Sequence, residues 1–220
     1  MNSLPRRSFL GMGLGLATVA GARLQAAPPP AGAPPAGAPE ELFKIKKVEI
    51  ATQKAPDYTI KGGTTDKRWK PKDWLEIDFE IDVKAPKNAA KTFKFFDDVK
   101  IKYYIYMNPA DATKKRVLVA EVSYINVPVD ETIHSVVYLS HSSIVNITGD
   151  KLVDKGQIQF TGAEVTYNNT LVGLYPKAAG APWWKSDKTP PVEEGRLLPK
   201  NKTPFAPLWY DYYMEEKLEK

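Results

Sequence analysis

The chain has 220 residues, of which 43% are hydrophobic and 26% charged, with a formal net charge of +5 and no cysteine. Arg6, Arg7 and Arg23 lie in the first 26 residues, which hold no acid, so removing them from +5 leaves +2 for the rest. That charge is too weak to support a nucleic-acid partner. The lack of cysteine excludes disulfides, thiolate metal sites and a cysteine-linked lipid anchor.

Residues 1–26 are predicted to be an export signal that is removed. The arginine pair at positions 6 and 7 precedes an apolar stretch, 9–19, and small residues then allow cleavage after Ala22 or Ala26. The pattern resembles a twin-arginine signal, with an ordinary secretory signal as the alternative. Because the apolar stretch is about half the ~20 residues that span a membrane, we expect no transmembrane segment in the mature chain.

Residues 27–41 are predicted to form a linker, because 27–39 contain only Pro, Ala and Gly. We expect a spacer there, with a proline-rich ligand for a partner as the alternative. Residues 42–175 are predicted to form a β-sandwich domain, and 176–220 a C-terminal arm.

The clearest strand covers residues 74–83, where apolar and acidic side chains alternate. This period of two predicts one buried and one solvated face in an antiparallel sheet. The buried row is Leu75, Ile77, Phe79, Ile81 and Val83. The solvated row is Glu76, Asp78, Glu80 and Asp82, with Lys100 and Lys102 as expected cross-strand partners.

Further strands are predicted by the same alternation and by turn residues. They cover 43–50 with a bulge near Lys46-Lys47, 99–107, 116–127, 133–139, 144–147, 157–167 with a bulge at Gly162, and 170–175 after a tight turn at Asn168-Asn169. Such short, evenly spaced strands favour an all-β, two-sheet antiparallel sandwich that is immunoglobulin-like in the broad sense. A barrel is the alternative.

The arm contains seven prolines, which exclude long helices and central strands. Its aromatic residues argue against disorder, so we predict an extended arm that lies on the sandwich, with a short helical turn at 214–220. The arm provides the candidate contact residues for a partner protein or a glycan. These are Trp183, Trp184, Trp209, Tyr210, Tyr212 and Tyr213.

No motif in the chain predicts catalysis, a cofactor or a metal. The acidic row of the 74–83 strand lies on one side of a sheet and cannot wrap a calcium ion, so a solvated ion-pair face is expected. His134 and His141 are the only histidines, and Ser140-His141-Ser142-Ser143 lacks a nucleophile elbow and an oxyanion loop. We expect both histidines to be ordinary residues at strand ends.

Three strings give the chain a family resemblance: Arg-Arg-Ser-Phe-Leu-Gly at its start, Leu-Glu-Ile-Asp-Phe-Glu-Ile-Asp from Leu75, and Ala-Pro-Leu-Trp-Tyr-Asp-Tyr-Tyr from Ala206. With them the sequence resembles the pilus-like proteins of Verrucomicrobia, of the Akkermansia type. The resemblance implies an immunoglobulin-like sandwich and association with type IV pilus assembly components at the cell envelope. It transfers no site residues.

We therefore predict a non-catalytic envelope protein, periplasmic or associated with the outer membrane or cell surface. It would act through contacts with envelope proteins, above all pilus-assembly components, as an assembly or accessory subunit. The alternative is an adhesion module that binds mucin glycans through the aromatic arm. An arm buried against the sandwich favours the first hypothesis, and an exposed, coplanar tryptophan pair favours the second.

Overall fold

The computed structural model describes residues 40–58, 70–150, 155–177 and 180–218. The predicted export signal, with both cleavage sites, and most of the linker lie outside these residues. The described strands and helix are β1 (Phe43–Lys54), β2 (Asp73–Val83), β3 (Phe95–Phe96), β4 (Val99–Met107), β5 (Arg116–Tyr124), β6 (Val127–Pro128), β7 (Thr132–Leu139), α1 (His141–Thr148), β8 (Ile158–Tyr167), β9 (Thr170–Tyr175), β10 (Val192–Glu194) and β11 (Leu197–Pro199).

Two sheets form a sandwich, which confirms the predicted all-β class. The first sheet has the strand order β1-β2-β7-β11, and the second has β10-β5-β4-β8-β9. Neighbouring strands run antiparallel except β10, which pairs in parallel with the start of β5. A separate two-stranded pair joins β3 and β6.

The core lies between the two sheets, as the alternation of apolar and polar residues along the strands predicts. The inward row of β2, from Leu75 to Val83, is at most 2% exposed, and the facing row of β4, from Val99 to Met107, is fully buried. Phe79 packs on Tyr103 across the core with ring centroids 5.0 Å apart. Because this slab is apolar and closely packed, it supplies a rigid platform for the outer faces.

Two predicted local features of the strands are confirmed. The register between β1 and β2 shifts between Ile45 and Lys47, where a bulge was expected. Asn168 and Asn169 join β8 to β9 with φ values of 49° and 59°. Asparagine tolerates this left-handed conformation, which a two-residue hairpin turn requires.

The strand predicted at 144–147 is wrong, because these residues belong to helix α1. Ser140 caps the helix by accepting a hydrogen bond from the Ser143 N–H, and Gly149 ends it in the left-handed region at φ 81°. Ile144 and Ile147, three residues apart, both face the core. His141 is thus the first residue of a helix, and His134 lies inside β7, so neither lies at a strand end as expected.

The solvated face predicted for β2 is also partly wrong. Glu76 is only 7% exposed and accepts a hydrogen bond from the Tyr138 hydroxyl at 2.8 Å. The expected partners Lys100 and Lys102 lie on β4 in the other sheet. β2 instead pairs with β1 and β7, and residues of the C-terminal arm cover part of its outer face.

Candidate interaction surface

The arm contacts the outer faces of both sheets, at two places. We name residues 183–185, which lie on the second sheet, the tryptophan anchor. Residues 203–216 are the tyrosine anchor, most of which lies on the first sheet, while its last residue, Glu216, bridges to Tyr124 of β5 in the second sheet. Strands β10 and β11 lie between them and extend the two sheets at their edges.

In the tryptophan anchor, Trp184 is 7% exposed and stacks on Tyr104 with ring centroids 4.5 Å apart and planes 11° apart. Gly162 of β8 lies beneath the indole, and a Cβ there would come within 2.2 Å of the Trp184 ring. The bulge predicted at Gly162 is therefore wrong, since this residue pairs in register with Tyr104. Glycine is needed at this position because the indole occupies the space of a side chain.

The Glu164 carboxylate joins the polar atoms of the tryptophan anchor. It accepts hydrogen bonds from the Tyr104 hydroxyl at 3.0 Å and the Trp184 Nε1–H at 3.3 Å, and it pairs with Lys185 Nζ at 2.8 Å. Burial acts to raise its pKa, but these three partners outweigh burial and lower the pKa. The hydrogen bond to this carboxylate thus sets the orientation of the Trp184 ring, while the space above Gly162 sets how deeply the ring is buried.

Trp183 lies beside this cluster but does not form a flat platform with its neighbour. The two indoles are perpendicular, with an interplanar angle of 90° and centroids 5.3 Å apart. Trp183 contacts Tyr106 and Phe160, and its Nε1–H donates to the Thr161 carbonyl at 3.4 Å. The exposed, coplanar tryptophan pair that would favour glycan binding is therefore absent at positions 183 and 184.

In the tyrosine anchor, the buried residue is Phe205, which sequence reasoning did not single out. It stacks on Tyr138 of β7 with centroids 4.6 Å apart and meets Trp74 edge-on at 5.9 Å. The signal that could have found it is the sequence Pro204-Phe205-Ala206-Pro207, in which one apolar ring stands between prolines. Phe205 then supports Trp209, whose ring stacks on it at 6.3 Å.

The tyrosine anchor also uses His134 and backbone pairing. Tyr212 stacks on His134 with centroids 4.3 Å apart, and His134 Nδ1 lies 3.0 Å from Asp78. The Met214 N–H donates to the His134 carbonyl at 2.9 Å. Residues 214–218 are therefore extended, and the helical turn predicted over 214–220 is wrong for the five of these residues that the structure describes.

Three of the six candidate residues remain at the surface. Trp209, Tyr210 and Tyr212 are 45%, 66% and 51% exposed, whereas Tyr213 is half-buried. We name these three residues the exposed patch. Trp209 has φ 52°, a left-handed conformation that is uncommon for a bulky residue. Its carbonyl accepts hydrogen bonds from the N–H groups of Tyr212 and Tyr213, which hold this turn.

Within the described ranges, no group of three or more histidine, aspartate or glutamate side chains is arranged to hold a metal. The acidic row of β2 is used internally instead. Asp78 lies against His134, and Asp82 pairs with Lys46 and accepts from Thr132. No helix in the described part of the chain is long and apolar enough to cross a membrane.

Comparison with known proteins decides the family. A family model of pilus-like proteins matches residues 35–220, most of the chain. The chain belongs to the pilus-like protein family of the Akkermansia type. A crystal structure of a protein from Akkermansia muciniphila is similar to it at 30% sequence identity and a TM-score of 0.66, over 81% of this chain and 94% of the other. No curated protein matches the sequence.

Membership confirms the resemblance drawn from the three sequence strings. A pilus-like protein is an exported protein of the cell envelope, and its family indicates protein partners. Within the described part of the arm, the exposed patch holds the aromatic rings that lie most at the surface.

Proposed function

We propose that this pilus-like protein is a non-catalytic assembly or accessory subunit of a type IV pilus-like system, and that it contacts envelope proteins through Trp209, Tyr210 and Tyr212. The observation that carries the proposal is that these rings are exposed while their neighbours in the same anchor are buried. Grouped exposed apolar side chains are typical of interaction sites, and aromatic residues often carry much of the binding energy of protein interfaces.

The contacts beneath the exposed patch favour a binding role for its rings over a role in packing alone. Trp209 lies on Phe205, which stacks on Tyr138 of β7, and Tyr212 lies on His134, which is itself a residue of β7. Rigidly held aromatic rings lose little conformational entropy when a partner docks. The left-handed Trp209 has a conformational cost that its neighbours offset, and such outliers cluster at sites of function.

Crosslinking and affinity capture from envelope fractions test this proposal. The full mature chain is the bait, compared with the double variant Tyr210→Ala/Tyr212→Ala and with Phe160→Ala, which removes an exposed ring from the opposite sheet. We expect the wild type and Phe160→Ala to capture pilus-assembly components identified by mass spectrometry, and the double variant to lose them. Equal capture by all three proteins would refute the role of the patch.

The same proteins on a mucin column test the glycan alternative. Retention of the wild type and Phe160→Ala but not of the double variant, without capture of assembly components, would make the patch a glycan-binding surface.

Export is tested separately. We infer that the twin-arginine route is used, so replacing Arg6-Arg7 by Lys-Lys should block export, and the mature protein should begin at Arg23 or Ala27. Normal export of the Lys-Lys variant would indicate the ordinary secretory route, and a mature start at Met1 would exclude a cleaved signal.

A further inference from the structure

A small pocket of about 210 Å³ opens between the exposed patch and the end of the described chain. Its lining comes from the turn after β11 and from the tyrosine anchor. The lining residues that matter here are Lys200, Asn201, Tyr210, Tyr213, Glu215 and Glu216. The pocket is smaller than typical drug-sized sites, so it can accept only a small chemical group.

Lys200 is the unusual feature of this pocket, because its side chain is polar yet only 7% exposed. Its ammonium donates one hydrogen bond, to the Ala206 carbonyl at 2.8 Å, and lies 5.9 and 6.0 Å from the ring centroids of Tyr210 and Tyr213. A lysine ammonium has three donors. Among the described residues, no carboxylate lies within 4 Å of it, so its charge has no direct counterion there.

Glu216 is the nearest expected counterion, but its oxygens are engaged elsewhere. They accept hydrogen bonds from the backbone N–H groups of Lys200 and Asn201, at 2.8 and 3.0 Å. Burial lowers the pKa of Lys200, and the charge of Glu216 opposes this only in part. The ammonium is therefore desolvated without full compensation, which is an unfavourable state that a bound anion would relieve.

We propose that this pocket binds the carboxylate of a small ligand, with Lys200 Nζ donating to the carboxylate and the body of the ligand packing on the exposed ring of Tyr210. A hydrogen bond between ammonium and carboxylate is charge-assisted and about twice as strong as a neutral one. Glu215 and Glu216 also line the pocket and repel any anion, but they repel a dianion about twice as strongly as a monoanion, so a carboxylate fits better than a phosphate.

Two ligand sources present this chemistry at the size of the pocket: an acidic sugar unit and the C-terminal residue of a peptide. The inference goes beyond the proposed function, since docking of a protein on the exposed patch does not require Lys200. Protein docking on the exposed patch and carboxylate binding in the pocket have only Tyr210 in common. The Lys200→Met variant therefore tests the second proposal without affecting the first.

The test is titration of the mature protein with glucuronate and with N-acetylated phenylalanine, each against its neutral counterpart, glucose or the phenylalanine amide. Binding is followed by calorimetry and by the NMR signals of the lysine ammonium groups. We expect at least one carboxylate to bind and to shift the Lys200 signal, while its neutral counterpart binds about tenfold more weakly or not at all. Which acid binds identifies the source.

The matched variants are Lys200→Met, which keeps the length of the aliphatic part of the side chain but removes the ammonium, and Lys202→Met, which removes an exposed lysine outside this pocket. Binding should be lost in Lys200→Met and kept in Lys202→Met. Should Lys200→Met not fold, Tyr210→Ala replaces it, because this ring is exposed, and we expect severalfold weaker binding. The proposal is overturned if neither acid binds, if the neutral compounds bind as well as the acids, or if binding survives in Lys200→Met. Where Lys200→Met does not fold, unweakened binding in Tyr210→Ala overturns it.

Discussion

The two anchors of the arm both contain tryptophan and other aromatic residues, but they differ in which of these side chains are buried and which are exposed. In the tryptophan anchor, the indole of Trp184 is buried over a glycine and its polar atom is bound by a carboxylate. In the tyrosine anchor, Phe205 takes the buried position while Trp209 and Tyr210 stand outside it. The difference shows that aromatic content alone does not tell which rings are buried against a sheet and which remain exposed. Whether a ring is buried depends on whether the sheet beneath it leaves a space of the ring's size, as Gly162 does for Trp184.

The largest effect is expected from removing the buried ring of the tryptophan anchor. Trp184→Ala should lower the free energy of unfolding by about 3–5 kcal/mol, because truncating a buried large aromatic side chain leaves a cavity and uncovers Tyr104. Urea denaturation of the purified protein measures this. A loss below about 1 kcal/mol would mean that Trp184 is not packed on the second sheet.

Substitution of Gly162, which lies beneath the Trp184 indole, should lower the free energy of unfolding by a somewhat smaller amount. Gly162→Ala places a methyl group where the Trp184 ring lies, so we expect a loss of about 1–3 kcal/mol from overpacking. Gly156→Ala is the matched control, because a Cβ there meets nothing within 4 Å. In the double variant Gly162→Ala/Trp184→Ala the clash is gone, so the two losses should not add. Additive losses would contradict the contact.

The pH dependence of stability should have opposite signs in the two anchors. Burial raises the pKa of Glu216 above 4.5, although hydrogen bonds from the Asn201 and Lys200 N–H groups act against burial. The native state then binds more protons than the unfolded state just above pH 4.5, so this group lowers the free energy of unfolding as pH rises through its folded pKa. Glu164, whose pKa is lowered, contributes stability that is present above pH 4.5 and lost as pH falls through its folded pKa.

Glutamine variants isolate these contributions. For Glu216→Gln, the free energy of unfolding relative to wild type should rise as the pH rises above 4.5. For Glu164→Gln, the same difference should become less negative as the pH falls below 4.5. Thermal or urea denaturation at each pH measures both. Slopes of the same sign in the two variants would show that one of the carboxyl environments is assigned incorrectly.

The sequence predicts the sandwich well because its strands alternate strictly. Leu75 to Val83 and Val99 to Met107 each fill one face of a sheet, and period two is a local property of the chain. Helix α1 was missed because Ile144 to Ile147 is a short apolar run, for which length and period do not separate helix from strand. The caps at Ser140 and Gly149 were the available signal.

The outer faces were harder to predict because they depend on what lies over them. Glu76 belongs to an alternating strand that predicts solvent on one side, but residues far along the chain cover it. Similarly, no local pattern shows that Gly162 holds Trp184 or that Phe205 covers Tyr138. These are contacts between distant segments. For the candidate residues, composition indicated an arm that contacts the sandwich but not which rings would remain exposed.

The smallest effect on stability is expected in the exposed patch, and it is also the most informative. Tyr210 is 66% exposed, and surface substitutions usually change the free energy of unfolding by within about 0.5 kcal/mol, so Tyr210→Ala should melt almost as the wild type does. If the patch is a binding surface, the same change should reduce capture of the partner, because aromatic residues commonly carry the energy of an interface.

Denaturation and partner capture, both measured on one preparation of Tyr210→Ala and one of Trp184→Ala, would separate the roles of the two anchors. Trp184→Ala should lose stability and keep binding wherever it stays folded, whereas Tyr210→Ala should keep stability and lose binding. A large loss of stability in Tyr210→Ala would mean that its ring contributes to packing after all, and the contrast between the anchors would fail.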